Sequence, residues 1–348
     1  MTALERNYGA RYCDKYKYDD LRVIVMENEL IRVSILLDQG TDIFEFLYKP
    51  KDVDFMLRTP NGIRNRAKYA ASWETDYSFM DYYEGGWQEL FPHGSAPTTY
   101  QGARIGQHGE VWGVPWNYQV LEDSPEEVSI RFSVRTVRTP FLLEKTITLR
   151  SGEAVLHFSE KATNEGAAPF EFMWGHHIAF GPPFLSTDCV VDADAEIVRV
   201  DEVDQPWPIG KDKVDHSRVI PVKREDEQMK YLLNLNAGWY GFTNTKMKVG
   251  FGAVWDPKVF DCVWIWQEFN YTKGYPWYGR VYGSAIEPFS SLPKAHENGT
   301  RLLTLDGGAT LETDFKVLAY EGSSRIASID ADGRVRWRTS PRKTPRSR

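Results

Sequence analysis

A chain of 348 residues with a net charge of −7 at pH 7 has no excess of basic residues, which argues against binding to nucleic acid or to an anionic membrane. Its hydrophobic share of 42% and charged share of 26% are typical of a globular protein with a sizeable core. No run approaches the roughly 18 apolar residues of a membrane span, and no signal-peptide core occurs before residue 20. The three cysteines show no CxxC spacing, so we expect a cytoplasmic protein.

Short segments in which polar and apolar residues alternate recur along the chain, and this period of two is typical of β-strands. The first such segment is Leu30–Leu36, and the clearest is Val128–Val137, where Val, Ile and Phe alternate with Ser and Arg. Around a Ser-Gly-Glu turn, Phe141–Leu149 and Ala154–Ala162 predict an antiparallel hairpin. The remaining predicted strands are Lys246–Val254, Val259–Phe269 and Leu311–Tyr320.

The pattern predicts an all-β protein, built as a large antiparallel sandwich or barrel. No long amphipathic helix is evident, and the charged stretch Lys211–Lys230 has room for one short helix at most. Because no internal repeat or linker interrupts the strands, we predict one domain over residues 1–330. Residues 331–348 form a basic tail poor in apolar residues, which predicts disorder beyond about residue 338.

Two distant segments carry residues suited to moving protons. Trp174-Gly-His-His-Ile-Ala-Phe-Gly places His176 and His177 at the end of an apolar run, and Ala285-Ile-Glu-Pro places Glu287 after another. An imidazole and a carboxyl group can protonate one oxygen while deprotonating another. Adjacent histidines on a strand point to opposite faces, so we expect one to face a pocket and the other to pack behind it.

A loop rich in Gly, Pro and Tyr offers a second group of candidates. It is bracketed by Gly85-Gly-Trp-Gln and Gln107-His-Gly-Glu, so that glycines lie beside Trp87, Gln88, His108 and Glu110. Such loops bring backbone and side chains close to a ligand, although they also serve as plain structural turns. A metal is a rival use of His108, Glu110, His176 and His177. However, His176 and His177 are adjacent on a strand and point to opposite faces, so both cannot easily bind one ion.

The order of these segments resembles the aldose 1-epimerase, or galactose mutarotase-like, superfamily. The resemblance rests on Gly-Gly-Trp-Gln, His108-Gly, His177-Ile-Ala-Phe-Gly and Glu287-Pro, followed by a strand after Gly307-Gly308. It covers roughly residues 20–322 and is closest to a divergent bacterial branch. The resemblance implies a large antiparallel β-sandwich and the interconversion of sugar anomers without a cofactor.

Residue roles follow from the resemblance at matching positions. It implies that His177 is the catalytic acid and Glu287 the base, with His108 and His176 contacting the substrate. The high aromatic content, which includes 12 Trp, fits the stacking of indoles on a sugar ring. The further residues expected to contact the substrate are Trp87, Trp174 and Trp266, together with Gln88, Glu110, Arg66 and Gln267.

Three functions stay open at this point. The first is a cofactor-free mutarotase acting on a small carbohydrate, and the second is a lyase or isomerase of an oxidised sugar, in which His108, Glu110 and His177 would hold a metal. The third is a sugar-binding protein without turnover. Several arginines, Arg64, Arg66, Arg104 and Arg280, could serve an anionic ligand, and an exposed sheet edge could form a homodimer.

Overall fold

The computed structural model describes residues 6–68, 76, 78–219 and 227–338. Strands dominate this part of the chain, and every pairing between them is antiparallel, which confirms the all-β class. The first half contains β1 (Arg11–Tyr18), β2 (Leu21–Glu27), β3 (Ile31–Leu36), β4 (Asp42–Tyr48), β5 (Val53–Asp54), β6 (Trp87–Leu90), β7 (Thr98–Tyr100), β8 (Ala103–Ile105), β9 (Asn117–Asp123), β10 (Glu127–Arg135), β11 (Phe141–Arg150) and β12 (Val155–Asn164).

The second half is built in the same way and adds little helix. Its strands are β13 (Phe170–Phe172), β14 (Gly175–Phe180), β15 (Cys189–Val200), β16 (Val203–Pro206), β17 (Glu227–Asn244), β18 (Val249–Trp255), β19 (Cys262–Phe269), β20 (Tyr282–Phe289), β21 (Leu303–Leu305), β22 (Thr310–Glu321), β23 (Ile326–Ile329) and β24 (Val335–Trp337). The helices are α1 (Ser78–Tyr82) and α2 (Ala295–Asn298), with 3-10 turns at Lys49–Lys51 and Arg66–Lys68. In the described part of the chain no helix is long and apolar enough to cross a membrane.

Each predicted strand is present, with ends shifted by a few residues at most. The predicted hairpin is formed by β11 and β12, in which Phe141 pairs with Asn164 and Leu149 with Leu156. Within Lys211–Lys230, residues 211–219 form turns and bridges and Glu227 begins β17, while 220–226 lie outside the described residues. The short helix allowed there is absent from the described part.

The described chain continues past the predicted domain boundary at residue 330. Residues 335–337 form β24, which pairs with β23 and places Trp337 against Tyr320 at 5.8 Å between ring centroids. The disorder expected beyond about residue 338 stays a prediction. Residues 339–348 lie outside the described residues.

Eighteen of the described strands form one continuous sheet that curls until its two layers face each other around an apolar core. Strands that are not hydrogen-bonded neighbours meet across this core. Trp87 on β6 lies 5.0 Å from Phe158 on β12, and His176 on β14 lies 4.3 Å from Phe315 on β22, between ring centroids. The inner face of β14 is buried in this core, and its outer face packs against a second apolar cluster.

Buried charges cross-link the two layers. Lys145 and Glu160 are cross-strand neighbours on β11 and β12, and they face Glu89 and His176 from the opposite layer. Lys145 Nζ lies 2.7 Å from Glu89 Oε2, and His176 Nε2 lies 3.2 Å from Glu160 Oε2, with all four side chains almost fully buried. Since a buried charge without its partner is costly, this network fixes the spacing of the layers.

We expect Lys145→Met to lower the free energy of unfolding by about 3–5 kcal/mol, because it leaves the Glu89 carboxylate buried without its cation. The matched control is Glu165→Gln, which breaks the exposed pair with Arg135 and should cost at most about 1 kcal/mol. Urea unfolding followed by tryptophan fluorescence measures both. Equal losses in the two variants would contradict a structural role for the buried pair.

Candidate active site

The register of two neighbouring strands brings His177 and Glu287 together. In the pairing of β14 with β20, Gly175 lies opposite Phe289 and Ile178 opposite Ile286. The same register places His177 opposite Glu287, and directly opposed residues of an antiparallel pair share one face of the sheet. His177 Nε2 lies 3.7 Å from Glu287 Oε1, so the predicted acid–base candidates lie side by side despite their distance in sequence.

The pair forms one wall of a cavity of about 370 Å³, which we call the His–Glu cavity. That volume falls within the usual range of small-molecule sites. Most of its other walls are aromatic or apolar, and the described lining contains neither Lys nor Arg. The residues that line it besides the pair are Phe79, Met80, Tyr83, Gln107, His108, Met229, Trp264, Trp266, Thr272, Tyr275, Pro276 and Trp277.

Burial sets the charge of the pair. Removal from water raises the pKa of Glu287 well above its ordinary value and lowers the pKa of His177 to about 4. Burial therefore favours the neutral form of each group, a carboxylic acid beside a neutral imidazole. One group can then donate a proton while the other accepts one.

His108 reaches the cavity from the loop before β9. Its φ is 63°, and Gly109 follows with a φ of 83°; a Cβ on that glycine would lie 2.3 Å from the carbonyl oxygen of Phe91. His108 Nδ1 lies 3.0 Å from the carbonyl oxygen of Gly94, to which it must donate its hydrogen. Burial lowers the pKa of His108 to about 3, so its Nε2 is left as an acceptor for a ligand hydroxyl.

His176 does not reach the cavity. The pleat of β14 turns it to the inner face, where Trp87 Nε1 donates to His176 Nδ1 at 3.3 Å. Trp87 itself packs on Phe158 and Phe315 in the core. The prediction from the two adjacent histidines, that one packs behind the other, is confirmed, whereas substrate contacts by His176 and Trp87 do not fit these positions.

Trp174, the first tryptophan expected to stack on a sugar, is a core residue. Its side chain is fully buried, its ring contacts Phe91 and Phe260, and its Nε1 donates to Glu89 Oε1 at 3.0 Å. Trp174 is therefore not placed to stack on a ligand in the His–Glu cavity. Trp266, in contrast, lines the His–Glu cavity with its ring 6.2 Å from that of His177.

The two glutamines also lie outside the lining of the cavity. Gln88 is opposite His177 on β6, but its amide donates to the Gly85 carbonyl at 2.5 Å and to Glu84 at 3.3 Å. Gln267 follows Trp266 on β19, so the pleat directs it to the opposite face of the sheet. Both side chains are buried, and neither is placed to contact a ligand in the cavity.

Arg66 and Glu110 line a separate cavity on the other side of the loop that carries His108. Glu110 is held there by the backbone N–H groups of Val137 and Arg138 at 2.9 and 2.7 Å. The ligand set expected for a metal, His108 with Glu110 and His177, is therefore not gathered. Among the described residues no group of three His, Cys, Asp or Glu side chains is arranged to hold a metal ion.

Several cavity residues were not singled out from the sequence. Tyr83 is the most informative, because its buried hydroxyl has no hydrogen-bond partner among the described residues and its ring lies 5.3 Å from that of His177. Trp264 faces Glu287 across the β19–β20 pairing. Its spacing of two residues from Trp266 on a predicted strand is a signal that places both on one face. Phe79, Tyr83 and Trp277 come from a short helix and loops, where no such period exists.

Solved structures share this fold at low sequence identity. An inferred aldose 1-epimerase from Klebsiella pneumoniae subsp. pneumoniae aligns with a TM-score of 0.71 and 14% identity, covering 90% of this chain and 84% of that chain. A galactose mutarotase-like protein from Clostridium acetobutylicum gives 0.66 and 15%, covering 90% and 99%. A galactose mutarotase related enzyme from Lactobacillus acidophilus gives 0.57 and 18%, covering 86% and 98%. These likenesses confirm the galactose mutarotase-like fold.

A search among curated proteins gave no match. One family model, described as a domain of unknown function (DUF4432), matches residues 19–317. That range begins just before β2, ends within β22, and includes His108, His177 and Glu287. The chain therefore belongs to the DUF4432 family, whose domain here has the galactose mutarotase-like β-sandwich fold.

Proposed function

We propose that this protein is a carbohydrate isomerase that interconverts the anomers of a free sugar, an aldose 1-epimerase, without a cofactor. The observation that supports this most is the 3.7 Å approach of His177 Nε2 to Glu287 Oε1 in the wall of an aromatic cavity. The similar structures from Klebsiella, Clostridium and Lactobacillus are named for the same reaction class. A cytoplasmic location and a homodimer stay predictions.

The reaction requires one proton to leave a sugar oxygen and another to arrive. His177 takes the proton of the anomeric hydroxyl as the carbonyl bond at C1 forms. The bond from C1 to the ring oxygen breaks, its electron pair goes to that oxygen, and Glu287 protonates it. After rotation about the C1–C2 bond the steps reverse, which gives either anomer and restores the pair.

These roles are the reverse of those implied by the family resemblance, in which Glu287 is the base. Burial disfavours the charged form of each group, so the resting proton belongs on Glu287 rather than on His177. During ring opening the pair becomes an imidazolium and a carboxylate that attract each other. The two groups share one transferable proton at every stage, in addition to the N–H of the neutral imidazole. The net charge of the buried cavity therefore never changes.

The other cavity residues supply binding. Trp264, Trp266 and Trp277 offer apolar faces against the C–H side of a sugar ring, and neutral His108 offers an acceptor to a hydroxyl. The Tyr83 hydroxyl is a buried donor with no partner in the described part of the chain, and burial together with Glu287 raises its pKa well above the ordinary value. It therefore stays protonated, and we assign it as a donor to a sugar oxygen.

The first prediction concerns the acid–base pair. We expect the wild-type protein to accelerate anomer exchange of at least one free aldose, and His177→Ala and Glu287→Gln each to lower this acceleration by about 10²–10⁴-fold. Exchange is measured by NMR magnetisation transfer between the anomeric protons, across neutral and acidic sugars.

Matched controls are His157→Ala and Glu122→Gln, two residues on β12 and β9 outside the cavity, which should leave the rate unchanged. Saturable sugar binding without any acceleration would favour a binding protein instead. Turnover of an oxidised sugar, with no effect on anomers, would favour the lyase or isomerase alternative.

The second prediction is the pH dependence. Activity needs one proton on the pair, so it should fall below about pH 4, where His177 takes up a proton, and again above the raised pKa of Glu287, where the carboxyl group loses its own. The measurement is kcat/KM against pH with the spontaneous rate subtracted. An acid limb near pH 6.5, the ordinary value for histidine, would contradict the burial of His177.

The third prediction separates function from stability at Tyr83. Tyr83→Phe should lower kcat/KM by about 5–150-fold, the value of one lost hydrogen bond, while the free energy of unfolding stays equal or rises. The rise follows because the variant removes a buried hydroxyl without a partner. Tyr240→Phe is the matched control, since the Tyr240 hydroxyl is also buried with no partner among the residues described but lies in the core cluster. Unchanged activity in Tyr83→Phe would remove Tyr83 from the site.

A further inference from the structure

The second cavity has a volume of about 420 Å³, and we call it the arginine cavity because Arg66, Arg135 and Arg138 line it. It lies behind the segment 106–110, whose Gln107 borders both cavities. Trp112 and Phe79, with ring centroids 5.0 Å apart, lie between the two spaces. The arginine cavity is thus separate from the His–Glu cavity while sharing one loop with it.

Arg66 is held in place before any ligand arrives. Its guanidinium carbon lies 5.0 Å from the ring centroid of Tyr82 and 5.1 Å from that of Trp112. Its Nη1 donates to the carbonyl oxygen of Gly113 at 3.1 Å. A Cβ at position 113 would lie 2.2 Å from that nitrogen, so glycine leaves the space that the guanidinium occupies.

The charges around the cavity are not balanced. Arg66 has no carboxylate partner among the described residues, and its pKa, although lowered by burial, starts so high that it stays charged. Glu110, the acidic group in the lining, already accepts from Val137, Arg138 and Thr139. Arg135 pairs with Glu165 in an exposed bridge that solvent screens.

We propose that the arginine cavity is a binding site for a small organic anion, a phosphate or carboxylate carried on a sugar-sized body. A guanidinium that is already fixed gives up little side-chain entropy on binding, and its fork of N–H donors matches an oxyanion. Tyr82 and Trp112 are themselves buried, and the parts of their rings that line the cavity give it an apolar wall beside the guanidinium. The site does not depend on the proposed epimerase reaction.

The test is isothermal titration calorimetry at low ionic strength with inorganic phosphate, glucose 6-phosphate and glucuronate, and with glucose as the uncharged probe. We expect saturable binding of at least one anion and none of glucose in this cavity. The phosphate and carboxylate probes distinguish the two sources of negative charge. Arg66→Gln and Arg138→Gln should weaken binding by about tenfold or more, and raised salt should weaken it further.

The matched control is Arg58→Gln, because Arg58 also lies over an aromatic ring, Phe44 at 5.5 Å, but outside the cavity. It should change the affinity by less than about twofold, as expected for a surface charge. Glu287→Gln should bind the anion as well as the wild type does. The proposal fails if no anion binds saturably, if Arg66→Gln and Arg138→Gln bind as the wild type does, or if Glu287→Gln abolishes binding.

Discussion

The pleat of one strand determines most of what is distinctive in this protein. Because side chains alternate across a sheet, β14 presents His177 outward and His176 inward from adjacent positions. His177 then meets Glu287 on the neighbouring strand, while His176 meets Glu160 from the opposite layer. One dipeptide thus joins the acid–base pair to the network that holds the sandwich together. A slip of one residue in register would exchange the two roles and destroy both.

Burial on both faces of the strand has opposite consequences. On the inner face, Lys145 and Glu89 are paired within hydrogen-bonding distance, so their charges are satisfied and rigid. On the outer face, His177 and Glu287 face a cavity, and burial lowers the pKa of the imidazole while it raises the pKa of the carboxyl group. The Lys145–Glu89 pair is therefore structural. The His177–Glu287 pair, in contrast, places a proton donor and a proton acceptor beside a cavity.

The sequence predicts the strands well because alternation is a local property, as β10 to β12 illustrate. His177 and Glu287 can be named from the sequence because each ends an apolar run and matches a family motif. The core position of Trp174 could not be predicted, because a tryptophan at a strand end has the same local sequence pattern whether it packs in a core or on a ligand. Arg66 and Glu110 could be named as ligand contacts, but only the fold shows that they share a second cavity.

The segment 106–110 is neither helix nor strand, and its residues line both the His–Glu cavity and the arginine cavity. Its positive-φ residues, His108 and Gly109, fit the chain against Phe91 and direct His108 toward the His–Glu cavity. Glu110, one residue later, fixes the loop at Val137 and Arg138 on the far side. A ligand in the arginine cavity would therefore touch the same loop that positions His108.

The central claim is that His177 and Glu287 act as one proton-sharing unit in anomer exchange. The most direct measurement is the NMR exchange rate of a responsive aldose for the wild type, His177→Ala, Glu287→Gln and the double variant. Groups that act as a unit lose their effect together, so the double variant should be no slower than the worse single variant. Losses that multiply, or a wild type that accelerates no free sugar, would contradict the claim.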